Sequence, residues 1–270
     1  MVRNFNADLL VEVTLKSIAW FLLLLVHPFA VGADTTARNL LIAAPEFAPY
    51  VSSTLAEGGW AWEVLEAAFE GSDYQPKLQL LPWPRAVRMV EEGALDGLYL
   101  ANKTAGRERW ARFSEPVGDE VTLFWKNRDN RLSYRDIGDA RGLRLGALRD
   151  SVQMETLQSE GFDAVALNDF EQGIRLLIRR RLDLVLADHH VIKHLLQSGD
   201  QPGQEKIIPI FPAVAAHGFH LAVSRQRADN DAVIEAFNQG LERLHLNGRY
   251  REIVRRYGLS PETVSFVPSQ

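Results

Sequence analysis

Short apolar segments of strand length alternate along this chain with segments whose apolar residues recur at helical spacing, and that alternation narrows the fold more than any other feature. Residues 39–43 (NLLIA) read as a buried strand, and Ala61, Val64, Leu65 and Ala68 then fall at i, i+3, i+4, i+7 on one helix face. Residues 77–81 read as strand. Pro84 sits where a helix starts, Val87 and Val90 follow on one face, and Gly93 ends it. Residues 95–101 (LDGLYLA) and 121–125 (VTLFW) are further strands. After the polar stretch 126–141 the pattern restarts: strand 143–148, helix 152–160 stopped by Gly161, strand 163–167, a helix capped by Asp169 and running to residue 179, strand 183–187, and helix 189–197 stopped by Gly199. Strand 219–223 (FHLAV) precedes a long helix opened by Asp229, with Val233, Ile234, Phe237, Leu241 and Leu244 inward, and a last helix over 249–257 closed by Gly258. Strands joined by helical crossovers form largely parallel sheets. A pattern that runs, breaks and restarts predicts two α/β lobes with a ligand between them.

Residues 18–26 (IAWFLLLLV) are uninterruptedly apolar but too short to span a bilayer, which takes about 20 residues. Lys16 precedes them, and Val31 and Ala33 stand at −3 and −1 of a cleavage point before Asp34. Residues 1–33 therefore read as a secretory signal peptide, and the remainder as an exported protein. The 270 residues hold 30 basic and 35 acidic side chains, a net charge of −5. A backbone-tracking nucleic-acid binder needs a basic face, so no nucleic-acid partner is expected. The chain has no cysteine, which excludes disulfides, thiol catalysis and Cys-ligated metal.

Much chemistry has no motif here. There is no phosphate-cradling glycine loop, no G-x-S-x-G elbow and no H-E-x-x-H, so no cofactor is expected. His190 and His194 lie four apart on one predicted helix face, with His217 or His220 available as a third ligand, but no carboxylate completes the set. They read as solvated histidines, and no metal is expected. Arg179-Arg180-Arg181 reads as a solvated helix end rather than an anion site.

A different constellation remains. Thr104 can cap a helical turn just after a strand end, and Arg107 on that turn offers a planar fork that matches a carboxylate. Asp188 follows an apolar strand at its carboxyl end, where ligands meet open α/β sheets. It suits an ammonium group and equally suits the N-cap of the next helix. Ser151 follows strand 143–148, as an anion-binding hydroxyl or as another N-cap. Phe47, Tyr50 and Trp83 lie in loops after strands and could wall the apolar part of a ligand. Together these describe a clamp with a cation for a carboxylate, an anion for an ammonium, and aromatic sides.

In this order the motifs resemble the family 3 extracellular solute-binding proteins, receptors of polar amino-acid ABC transporters. Thr104-Ala105-Gly106-Arg107 matches the family's T-x-x-R and Phe113-Ser114-Glu115-Pro116 its F-S-x-P. Leu182-Asp183 with Asp188 matches G-x-L-D-x-x-x-x-D, with Arg181 in place of glycine, and Leu244, Gly248, Tyr250, Ile253 and Tyr257 match the closing signature. The resemblance implies an α/β, two-lobed type II periplasmic-binding fold, each lobe a mostly parallel sheet flanked by helices, with two hinge strands near 121–125 and 217–221. Lobe 1 is expected at 34–122 plus 219–270, lobe 2 at 123–218.

The resemblance also implies that Arg107 grips a ligand carboxylate and Asp188 its ammonium. Phe47 and Trp83 would be aromatic walls, Thr104 of the same motif would belong to the ligand-binding set, and Ser151 would remain from a partly kept anion turn. Leu100, Ala101 and Asn102 replace the small hydroxyl residues expected before T-x-x-R, which brings Asn102 into the site. Arg149 and Arg85 add positive charge that could favour an acidic ligand. The implied protein is a monomeric periplasmic receptor that hands an amino-acid-like or carboxylate ligand to an ABC permease, and not an enzyme. Two alternatives stay open: a cyclohexadienyl-dehydratase-like enzyme using Glu46 or Asp150 as acid, and a sensor serving a membrane signalling protein.

Overall fold

The computed structural model describes residues 38–260, so the expected signal peptide lies outside the described residues. The first apolar run forms β1 (Arg38–Ala44), followed by α1 (Trp60–Phe69), β2 (Tyr74–Leu80), α2 (Trp83–Glu91) and β3 (Gly97–Asn102). β1 pairs in parallel with β2 and with β3. All six residues of β3 are buried, as a strand covered on both faces requires. The chain then makes α3 (Ala105–Glu108), β4 (Ala111–Phe113) and the ten-residue β5 (Gly118–Asn127).

A second parallel block follows: β6 (Leu145–Leu148), α4 (Val152–Ser159), β7 (Ala164–Leu167), α5 (Phe170–Ile178), β8 (Leu184–Asp188) and α6 (His189–Ser198). β6 lies parallel between β7 and β8. The chain returns through β9 (Ile207–Ser224) and ends its described part in α7 (Asn230–Leu246) and α8 (Arg249–Arg256). The strands form one mixed, curled sheet in the order β2-β1-β3-β9-β5-β8-β6-β7, with β4 paired to β9. The two parallel blocks are thus joined by the antiparallel pair β9 and β5, in register Gly118↔Phe219, Glu120↔His217 and Thr122↔Ala215. This is an α/β architecture, two parallel blocks with flanking helices built into one sheet.

β9 runs for 18 residues, where the sequence predicts only 219–223. Its first half contains Pro209 and Pro212 and is largely half-exposed, so it lacks the alternation that marks a strand. Pairing with β5 makes it one, a tertiary effect that outweighs local preference. In α7, Val233, Phe237, Leu241 and Leu244 are buried as expected, and Ile234 is half-buried.

α7 packs on α1 through Gly240. A Cβ at that position would stand 1.8 Å from the Ala68 carbonyl oxygen, a backbone atom that cannot rotate away. Gly240→Ala is therefore expected to lower the melting temperature despite its better helix propensity, by roughly the 1–3 kcal/mol of an overpacked core or more. A thermal melt unchanged or raised by this substitution would show that the two helices separate freely.

Candidate ligand site

The turn after β3 builds the cationic pole. Thr104 accepts a hydrogen bond from the Arg107 backbone N–H (3.3 Å) and caps α3. That turn points the Arg107 side chain inward, where it is only 4% exposed, although Glu108 and Arg109 beside it are exposed. The local charge run by itself suggests a surface arginine. The guanidinium donates to the carbonyl of Asn102 (2.9 Å) and to that of Asp150 (2.7 Å), and lies over the Trp83 ring at 5.3 Å. The Trp83 indole N–H donates to the same Asp150 carbonyl (2.9 Å). Asp150 presents that carbonyl from a left-handed backbone (φ 57°), a conformation unfavourable for a residue with a side chain.

Asp188 forms the anionic pole at the end of β8, with no solvent exposure. It is both things its position suggests: an N-cap of α6, accepting from the Val191 N–H (2.8 Å), and a buried acid facing the first block, accepting from the Tyr50 hydroxyl at 3.2 and 3.3 Å. Burial pushes its carboxyl well above the usual range, and the neighbouring Glu120 adds to this against the Val191 and Tyr50 hydrogen bonds.

Glu120 on β5 is a third buried charge, absent from the sequence-based reading. Asn102 donates to one of its oxygens (2.8 Å) and Gln153 to the other (2.6 Å). Burial pushes its carboxyl up to about 7, opposed by these two amides and by Arg107. The signal was available: in a strand, Glu120 shares a face with Thr122 and Phe124, and all three are buried. The expected strand 121–125 begins one residue after it, so its alternation does not include Glu120.

Phe47, Trp83, Asn102, Ser151, Phe170 and Phe219 close around a void beside Glu120 of about 20 Å³, room for one water. Phe47 touches Phe170 and Phe219 at ring separations of 6.0 and 5.9 Å. The Ser151 hydroxyl is committed to its own turn, donating to the Leu148 carbonyl (2.6 Å) and accepting from the Met154 N–H (3.2 Å). Two larger grooves adjoin the void. One, of about 460 Å³, is walled by Phe47, Trp83, Phe170 and Leu195; the other, of about 500 Å³, by Arg88, Arg107, Arg149 and Glu155. Arg149 is exposed and shares the rim with Arg85 and Asn168. The structure thus brings Phe47, Trp83, Asn102, Ser151 and Arg107 together, holds Thr104 one layer behind, puts Asp188 behind Tyr50, and leaves Arg149 at the entrance.

The remaining polar candidates stand outside this void. Glu46 is exposed and occupied by Ser53, and the Asp150 side chain is at the surface. Arg180 pairs with Asp129 (2.6 Å) in solvent. No group of three metal-ligating side chains occurs among the described residues.

The model of the bacterial extracellular solute-binding proteins, family 3, matches residues 41–260 of this chain. Among curated relatives, an ABC transporter arginine-binding protein 1 of Escherichia coli is 24% identical over 154 residues, covering 56% of this chain and 60% of that protein. A candidate sensor protein of Shewanella frigidimarina is 25% identical over 142 residues, covering 50% of this chain and 19% of that protein. The matched region thus spans less than two thirds of either relative. Among solved structures, a histidine kinase sensor domain with similarity to periplasmic binding proteins superposes with a TM-score of 0.74 at 20% identity, over 84% of this chain and 99% of that one. The arginine-, lysine-, histidine-binding protein ArtJ of Geobacillus stearothermophilus gives 0.71 at 15% identity, over 83% and 97%. At these identities the superpositions bear on the fold alone.

Proposed function

Because the chain belongs to the bacterial extracellular solute-binding proteins, family 3, we propose that it is a periplasmic receptor that captures an amino-acid-like solute between two lobes and passes it to an ABC permease. The observation that carries this reading is the burial of Arg107, held against the void-lining Asn102 and Trp83, and of Asp188, held behind Tyr50, with the rings of Phe47, Phe170 and Phe219 about the void. A carboxylate held by a desolvated guanidinium, and an ammonium held by a desolvated carboxylate, are each far stronger there than at a surface. Lobe 1 would comprise 34–122 plus 219–270 and lobe 2 residues 123–218, hinged on β5 and β9. Opening there would break the bonds of Asp150 to Trp83 and Arg107 and admit the ligand. Residues 1–33 would be removed on export, and the mature receptor would act as a monomer. No helix among the described residues is long and apolar enough to cross a membrane.

The test is a thermal-shift screen of the chain against the amino acids. A ligand that binds only the folded state stabilises it by about 2.7 kcal/mol at 100-fold over its Kd. A shift confined to amino acids and close analogues is the expected result, and the absence of any shift overturns the reading.

A second reading has an observation of its own. An acid near 7, such as Glu120, is what an eliminating enzyme of cyclohexadienyl-dehydratase type would use, whereas Glu46 and Asp150 lie outside the void. The receptor reading expects no turnover of prephenate or arogenate. The sensor-type relatives keep a third role open, delivery of the liganded form to a membrane signalling protein in place of a permease.

A further inference from the structure

We propose that Glu120 is the residue that sets ligand class, selecting a solute that carries a cationic group in addition to its α-ammonium. This deepens the receptor reading and rests on it. The argument begins with charge pairing. The void has one buried cation beside it, Arg107, and two buried carboxylates, Glu120 and Asp188. Neither carboxylate has an ion-pair partner among the described residues; the fork of Arg107 goes to two backbone carbonyls. Glu120 is held only by the neutral amides of Asn102 and Gln153, and Asp188 only by a hydroxyl and backbone N–H groups.

A buried carboxylate without a cation is strongly unfavourable. A ligand carboxylate on Arg107 and ammonium on Asp188 would leave Glu120 as the one uncompensated charge. A second ligand cation completes the set. Glu120 lines the void directly, whereas Asp188 stands behind Tyr50, so a charged side chain entering the void reaches Glu120. The surrounding rings of Phe47, Phe170, Phe219 and Trp83 also favour a cation over an anion. Arg85 and Arg149 argue for an acidic ligand, but Arg149 is exposed and both stand at the rim, where solvent and salt weaken them. Rim charges chiefly affect the rate of encounter.

Proton exchange on binding reports the sign. The charged groups around Glu120 are Arg107, Asp188 and Asp119, with His217 opposite it in β9 and Glu155 near Arg107. A carboxyl that burial holds half-protonated near neutrality must ionise fully to meet a cation, so a cationic ligand releases up to about half a proton at pH 7 from Glu120, beyond what Asp188 releases to any α-ammonium, and the difference between wild type and Glu120→Gln reads the Glu120 share. An acidic ligand in the same place would take protons up.

The experiment is calorimetric titration of the full chain with L-arginine, L-lysine, L-glutamine and L-glutamate, in two buffers of different ionisation enthalpy. The expected result is binding of L-arginine or L-lysine about tenfold or more tighter than L-glutamine, with protons released. Glu120→Gln is expected to erase that preference by weakening L-arginine and L-lysine about tenfold or more relative to L-glutamine, and Glu120→Asp to retain part of it. Preference of the wild type for L-glutamine or L-glutamate overturns this inference and leaves the receptor reading intact. So does cation preference that survives in Glu120→Gln. Failure of all four to bind overturns this inference, and the thermal-shift screen against the remaining amino acids then decides the receptor reading separately.

Discussion

Arg107→Ala is expected to abolish measurable amino-acid binding, a loss of at least about 100-fold in affinity. Truncating one partner of a desolvated, hydrogen-bonded charge pair typically costs about 2–5 kcal/mol, or roughly 30- to several-thousandfold. Arg107 lies in the upper part of that range because it is nine-tenths or more buried and rigidly held over Trp83. The same contacts give the substitution a second effect. The buried Asn102 carbonyl loses its guanidinium donor, at about 1–3 kcal/mol for a buried group left unpaired, whereas the Asp150 carbonyl keeps the Trp83 indole N–H. The variant should therefore melt lower than the wild type, by several degrees. Arg107→Lys separates the two effects. A lysine restores the charge but not the two-pronged geometry, so it should recover more stability than affinity. Titration calorimetry and thermal melts on the three proteins check this. Wild-type affinity in Arg107→Ala would remove the arginine from the ligand site altogether.

The sequence carried the α/β class and most of the element order, because the parallel blocks are made of strands buried on both faces and helices with one apolar stripe. Such elements announce themselves locally. Thr104, Arg107 and Asp188 were equally legible, since each sits where a strand ends and a short turn begins, and the order of motifs around them is distinctive. The first half of β9 was not legible, because only its pairing with β5 makes that proline-containing stretch a strand. Glu120 was missed for a related reason. Its burial depends on Asn102 and Gln153, 18 and 33 residues away, closing on it from two different elements. Nor could spacing reveal that Tyr50 would stand between Asp188 and the void, or that Ser151 would spend its hydroxyl on its own turn. Those are consequences of how the two blocks meet.

The ligand-free chain is expected to lose stability relative to Glu120→Gln as pH rises from 5 to 8, opposite to the usual effect of a salt-bridged carboxylate. In the unfolded chain the Glu120 carboxyl titrates near its ordinary 4.5, and in the folded chain near 7. Between those values the folded state holds a proton that the unfolded state has released, so stability is full below 4.5 and falls as pH rises through 7. The shift corresponds to about 3 kcal/mol, and Asp188, raised by burial in the same cluster, acts in the same direction. The histidines His189, His190, His217, His220 and His245 work the other way: burial lowers them, so they add stability as pH rises through the ordinary histidine range and offset part of the carboxylate loss. Glu120→Gln keeps these histidines, so the difference between the two proteins isolates Glu120. Most of that difference of about 3 kcal/mol develops between pH 4.5 and 7, and it corresponds to roughly 6–12 °C in melting temperature for a chain of this size. Glu120→Gln removes the titration without removing the shape, so its melting temperature should rise relative to that of the wild type with pH and exceed it at pH 8. Equal slopes in the two proteins would show that Glu120 titrates as an ordinary surface acid. A stabilised Glu120→Gln that has also lost its preference for cationic ligands would tie the two effects to one cause: a buried charge that destabilises the empty receptor and is neutralised by the ligand it selects.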